Sequence, residues 1–378
     1  MRKALLLLVL VLTVCGGVAA AQDVPTTFCG KLSDADCGIL IDSAAAMRGL
    51  HSAAFNFQLD VGVTNIPEST PSDIRFRLTG DGAYAVDPEA LSALMLSPSE
   101  MMQNMDKMPQ ILEDAIKAIS ADANLVLFLP QNLPDMDRPL PEKVGLSLRM
   151  VDGIGYANLD KLAELDTTGD LPHGWVGVDL VDFLRQAMDS QAGAMSSVPG
   201  MGANMDMMSA FTDPEFMNTY MTVTRAEDTR VDGQSAAVFN QSIDLGALFS
   251  SDTFQKMIRD QVQSLTGSTG SSGLSEKDLD SIMTMYSTLF KGFVVNATQT
   301  IGLEDHFVRQ VSVNLDWALD FSDMAASFGG STTTKTPPIN ISLDLQAGLS
   351  QFNNAPEITA PDNAVIMPLD KLFNRGSF

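Results

Sequence analysis

The residues able to do chemistry are few and scattered. Three histidines, His51, His173 and His306, each stand alone in sequence. No H-E-x-x-H run, no Cys/His cluster and no G-x-S-x-G turn accompanies them, so the ligand and nucleophile spacings of metallohydrolases and serine hydrolases are missing. No glycine-rich loop follows a strand in a phosphate-binding arrangement. Asp135-Met136-Asp137 and Asp166-Thr167-Thr168-Gly169-Asp170 bring carboxylates close together. Neither follows the twelve-residue EF-hand pattern, and both read as solvated loops. The residue types therefore predict no catalytic residue, no metal site and no cofactor.

Cysteine and methionine carry more information. Cys29 and Cys37 stand eight apart, and an isolated short-range pair in an exported chain reads as a disulfide. Methionine is abundant, with 22 residues. One group is Met101, Met102, Met105 and Met108; another is Met201, Met205, Met207 and Met208, followed by Met217 and Met221. Thioethers suit Cu(I), but no His or Cys stands among them. Met101, Met105, Met108, Leu112, Ala115 and Ile119 keep to one helical face, as expected of ordinary core packing or of an adaptable surface for an apolar ligand. Spacing leaves both readings open and puts copper third.

The N-terminus names the compartment in which these residues work. Arg2 and Lys3, an apolar run from Ala4 to Val14 and the small residues Ala19-Ala20-Ala21 form a secretory signal, with cleavage expected after Ala21. The run is shorter than the roughly 20 residues of a bilayer span. Leu12-Thr13-Val14-Cys15 approaches a lipobox, but Val14 fills the place of the usual small residue. A free mature form is expected, with membrane anchoring only if Cys15 is lipidated. The formal charge of −24 becomes −26 when Arg2 and Lys3 leave with the signal. Such acidity argues against nucleic acid, which is held through Lys and Arg, and against anionic membrane surfaces.

The elements that position everything else alternate in period two. Phe55, Phe57, Leu59, Val61 and Val63 interleave with Asn56, Gln58 and Asp60, the pattern of a strand with one buried face. Ile74–Leu78 repeats it, and Gly80-Asp81-Gly82 reads as a turn into Ala83–Val86. Further strands are expected at 125–129, 144–151, 154–159, 220–225, 236–243, 293–301, 307–319 and 339–349. Val151-Asp152-Gly153, Val231-Asp232-Gly233 and Gly302-Leu303-Glu304-Asp305 supply hairpin turns. A helix is expected over 33–50, and helical insertions at about 87–120, 180–218 and 246–290. Thr266 to Gly273 and Ser327 to Pro338 are soft linkers, and the strand pattern resumes after each. The expectation is one α+β domain over 22–378, following a signal at 1–21, with a large antiparallel sheet of about ten strands.

Three stretches then resemble the lipid-carrier superfamily of the LppX/LprG and LolA/LolB kinds. They are Ser43–Ser52 running into Phe55-Asn56-Phe57, Gly155-Tyr156-Ala157-Asn158-Leu159 followed by Gly174-Trp175-Val176-Gly177-Val178-Asp179, and Ile358-Thr359-Ala360-Pro361-Asp362-Asn363-Ala364. The long helical insertions and the poor lipobox depart from that pattern. What the resemblance implies is a curved antiparallel half-barrel, LolA-like, wrapping helices around an apolar cavity. The implied function is non-enzymatic: an exported carrier or binding protein for a lipid or other apolar small molecule. Phe55, Phe57, Leu59 and Phe76 on strands, with Met101, Met105, Met108 and Met283 on helices, are the expected ligand contacts. Trp175 and Tyr156 are expected to anchor the fold. A cell-surface structural or protein-interaction module with a filled core is the alternative, and Met-based copper binding comes third.

Overall fold

The computed structural model describes residues 27–66, 72–87, 107–130, 141–166, 169, 171–191, 214–256, 258–259, 276–320 and 337–368. In chain order the elements are α1 (Asp34–Arg48), β1 (Ser52–Thr64), β2 (Ile74–Val86), α2 (Met108–Lys117), β3 (Ile119–Phe128), β4 (Lys143–Val151), β5 (Ile154–Asn158), α3 (Asp160–Ala163), β6 (Trp175–Asp179), α4 (Leu180–Gln191), α5 (Pro214–Tyr220), β7 (Met221–Arg225), β8 (Thr229–Val231), β9 (Gln234–Asp244), α6 (Leu245–Ser250), α7 (Glu276–Leu289), β10 (Val294–Gly302), β11 (Val308–Leu319), β12 (Ile339–Ser350) and β13 (Val365–Ile366). The class is α+β, with a large, curved, unclosed sheet and a few helices.

The sheet runs β13-β6-β5-β4-β3-β2-β1-β12-β11-β10-β9-β7, with β8 also paired to β9. Two antiparallel meanders, β1 to β6 and β9 to β12, join where β1 pairs with β12. Thirteen described strands exceed the roughly ten expected. The additions are β6, β8 and β13, and β13 pairs with β6 in parallel. The Asp-Gly signals hold. Asp152-Gly153 has φ of 51° and 79°, and Asp232-Gly233 has 52° and 81°. Val151 pairs with Ile154 and Val231 with Gln234, closing two-residue hairpins whose positive φ angles suit Asp-Gly.

Gly80-Asp81-Gly82 is not a turn: β2 passes straight through it. The reason lies on the neighbouring strand. Gly80 faces Phe57 and Gly82 faces Phe55. A Cβ on Gly80 would stand 2.5 Å from Phe57 Cε1, and one on Gly82 would meet Phe55 Cζ at 2.9 Å and the Asp122 carbonyl more closely still. The glycines are spaces left for two phenyl rings and for a close backbone approach.

Helix α1 begins where Ser33 accepts a hydrogen bond from the Asp36 N–H at 3.2 Å. Asp34 and Asp36 in its first turn and Arg48 in its last complement the helix dipole. Leu40 then enters a core with Val223, Ala237, Phe239, Ile301 and Val308. The Cys29–Cys37 disulfide, with Cα atoms 5.3 Å apart, ties the incoming chain to the first turn of this helix. Replacing both cysteines by serine is expected to lower unfolding free energy by about 2–3 kcal/mol, read by chemical denaturation. An unchanged value would mean the helix is held by its core contact alone.

Candidate functional site

Register decides which side chains share a surface, because directly paired residues project to the same side of a sheet. One row reads Val144–Leu127–Leu78–Leu59–Leu345–Val313 across six strands. The next reads Phe76–Val61–Leu343–Leu315–Val295–Ile243–Met221 across seven. Phe55 and Phe57 lie on this same face, with ring centroids 6.5 Å apart. The opposite face is polar, as in the row Arg77–Asp60–Asp344–Asn314–Asn296–Ser242–Thr222.

Helices cover the apolar face at its flanks. At the β7-β9-β10 end, α1 seals Phe239 and Ile301 at 0% exposure. There Arg225 lies 5.0 Å over the Phe239 ring and 3.3 Å from Asp36 of α1. Toward β5, Leu180 at the start of α4 packs at 3.3 Å from a Cβ placed on Gly155. Beyond α6 and α7, Phe290 stacks on Trp317 at 5.5 Å and meets Phe249 at 4.3 Å, while Trp317 Nε1 donates to the Leu289 carbonyl at 2.9 Å. Between these caps the described side chains are buried only in part. On β1, β12 and β11, Phe55, Phe57, Leu59, Val61, Leu343, Leu345, Val313 and Leu315 are only half-buried.

The expected contacts therefore separate. Phe55, Phe57, Leu59 and Phe76 share the apolar face, Phe76 being the most open at 38% exposure. Met283 on α7 is buried. Met108 opens α2, while Met101 and Met105 lie outside the described residues, as do the signal and Cys15. Sequence reasoning passed over Leu343, Leu345, Val313 and Leu315. Their alternation was visible, but their place beside Leu59 and Val61 depends on the β1–β12 pairing. Tyr156 is buried, and Trp175 lies under the Arg149 guanidinium at 5.4 Å. Arg149 also binds Asp122 at 2.6 Å and the Thr359 carbonyl at 2.9 Å, so this corner fastens the C-terminal segment to the sheet.

A cavity of about 630 Å³ opens on the polar side, with Asp60, Arg75, Arg77, Phe128, Asn314 and Asp344 in its lining. Burial pushes the Asp60 carboxyl up, but hydrogen bonds from Arg77 and Gln58 and the Arg77 charge outweigh it and hold the group below its ordinary 3.8. A lowered folded pKa stabilises the fold above the unfolded value and loses that contribution as pH falls through the folded one. The wild-type advantage over Asp60→Asn should thus be present at pH 5 and vanish toward pH 2 in thermal melts. It should stay below about 1 kcal/mol for so exposed a pair. An advantage growing toward low pH would contradict the assignment.

Among the described residues no group of three or more His, Cys, Asp or Glu is placed to hold a metal ion, and no helix is long and apolar enough to cross a membrane. His51 lies before β1, exposed His173 stands 3.5 Å from Asp160, and His306 sits in the β10–β11 turn.

No protein-family description matches the chain, and no curated protein matches its sequence. Solved structures similar to it include the lipoprotein LppX of Mycobacterium tuberculosis, 11% identical, covering 86% of this chain and 100% of that one at a TM-score of 0.29. LprF of Mycobacterium bovis is 12% identical, with 88% and 98% covered and a TM-score of 0.30. The MucA/MucB complex of Pseudomonas aeruginosa is 9% identical over 87% of this chain and 100% of that one, at a TM-score of 0.17. At such scores no residue correspondence is drawn from them.

Proposed function

We propose that the chain is an exported, non-enzymatic carrier or binding protein that holds a lipid or other apolar small molecule against the apolar face of its sheet. The supporting observation is the half-open centre of that face. Large aliphatic and aromatic side chains run across β2, β1, β12 and β11 and are only half-buried at the centre, while described helices seal the flanks. A contiguous apolar face that is only partly buried is the kind of surface that marks an interaction site. An acyl chain laid on it gains about 0.8 kcal/mol per buried methylene, enough over a long chain to offset the cost of association. The Cys29–Cys37 disulfide fits an oxidising compartment outside the cytoplasm. The same reading takes cleavage after Ala21 and one domain over 22–378. It also takes Phe55, Phe57, Leu59 and Phe76 as contacts, joined by Leu345 and Val313, and Met101, Met105, Met108 and Met283 as further contacts.

The test is native mass spectrometry of mature protein prepared without detergent, followed by organic extraction. A stoichiometric lipid is the expected result. A mass that stays free of ligand after incubation with phospholipid and fatty acid would sink the carrier reading and leave a closed-core surface module. Leu345→Asp places a carboxylate in the middle of the apolar row and should reduce bound lipid at least about tenfold, because an unpaired charge against hydrocarbon costs several kcal/mol. Leu345→Met should retain it. Equal retention by both variants would place the ligand elsewhere.

A further inference from the structure

We infer that the polar face carries a second, separate binding site, the cleft over β1, β2, β11 and β12, and that it accepts a neutral saccharide. The cavity of about 630 Å³ falls within the range of small-molecule sites, roughly 300–1,000 Å³. It is a built arrangement of planar hydrogen-bonding groups. Asp60 accepts from Arg77 Nε at 2.6 Å and from Gln58 Nε2 at 2.6 Å. Asp344 accepts from Asn314 Nδ2 at 2.7 Å and from Gln346 Nε2 at 3.2 Å. Each carboxylate is thereby fixed by two donors and keeps further lone pairs for a ligand. The amide oxygens of Asn314 and Gln346 stay available as acceptors, since their NH2 groups serve Asp344. Phe128 supplies a ring beside Arg77.

This chemistry selects its ligand. Asp60, Asp316 and Asp344 line the cleft and would repel an anion. An apolar molecule would leave the fixed carboxylates and amides without partners. A lone cation would compete with the Arg75 and Arg77 guanidiniums. A sugar satisfies the site, because every hydroxyl both donates and accepts, vicinal hydroxyls match the paired oxygens of a carboxylate or amide, and the C–H face of a pyranose packs on a phenyl ring. Asp60, Asp344, Asn314 and Gln346 project from the side of the sheet opposite Leu59, Leu345 and Val313, so variants at these positions test the site apart from the lipid reading.

Saturation-transfer NMR with maltose and cellobiose, each at about 10 mM, tests the site in the range of weak millimolar affinities. Transfer to the ring protons of at least one sugar is expected, with at least a fivefold loss in Asp344→Ala at an unchanged melting temperature. Asn314→Ala, which removes one exposed amide, is the second variant should Asp344→Ala fail to fold, and the same loss is expected. No transfer from either sugar would overturn the inference. So would undiminished transfer in the folded variants, or a lysine-rich peptide displacing the bound sugar at equal concentration.

Discussion

Truncating Phe239 to alanine is expected to cost about 3–5 kcal/mol of unfolding free energy, the range for deleting a buried phenyl ring. Phe239 is fully buried among Leu40, Val223, Ala237, Ile301 and Val308, so its removal leaves a void that backbone on both sides keeps from closing. It also takes the aromatic surface from beneath Arg225, whose guanidinium lies 5.0 Å away and reaches Asp36. Part of the contact joining α1 to the sheet is therefore lost with the ring. Urea unfolding read by circular dichroism measures the cost. The informative comparison is Phe57→Ala, on the same face but half-buried. Partial burial returns proportionately less, and about 1–2 kcal/mol is expected. Comparable losses at the two positions would mean that the centre of the apolar face is filled and that no ligand surface exists there.

Gly82→Ala should destabilise by at least about 2 kcal/mol, more than Gly80→Ala, although both add a single methyl to one strand. Around Gly80 the new Cβ meets the Phe57 ring and Leu125 Cδ2, at 2.5 and 2.8 Å, and side chains can swing aside. Around Gly82 it meets the backbone carbonyl of Asp122 on β3, which moves only if the β2–β3 pairing opens. Thermal melts of both variants check the order. A milder effect at Gly82 would mean that β2 and β3 do not approach as closely as this.

Much of the architecture was legible because strand alternation is a local property. The runs through Phe55, Ile339 and Val311 show period two without any partner, and the Asp-Gly pairs mark their hairpins directly. The disulfide followed from two cysteines and a compartment. Gly80 and Gly82 misled because glycine in sequence signals a turn, whereas here it answers bulk on the next strand. The central site was half legible. Phe55, Phe57, Leu59 and Phe76 were recognisable as one face of two neighbouring strands, but Leu345 and Val313 lie more than two hundred residues further on and enter only through pairing.

The sequence by itself pointed to an export signal, which stands as an expectation, and to the Cys29–Cys37 disulfide, to a large sheet with helices, and to the absence of the motifs of the common hydrolases. Each of these depends on the identity of a residue and of its near neighbours. Only the tertiary structure decided that β1 lies beside β12, that the apolar rows continue across both meanders, that α1 seals one flank while the described side chains of the centre are only half-buried, and that Asp60 and Asp344 are fixed side by side in a polar cleft. Alternation tells each strand which residues share a face. Which other strand continues that face is set by long-range register, and both candidate surfaces of this protein are properties of that register.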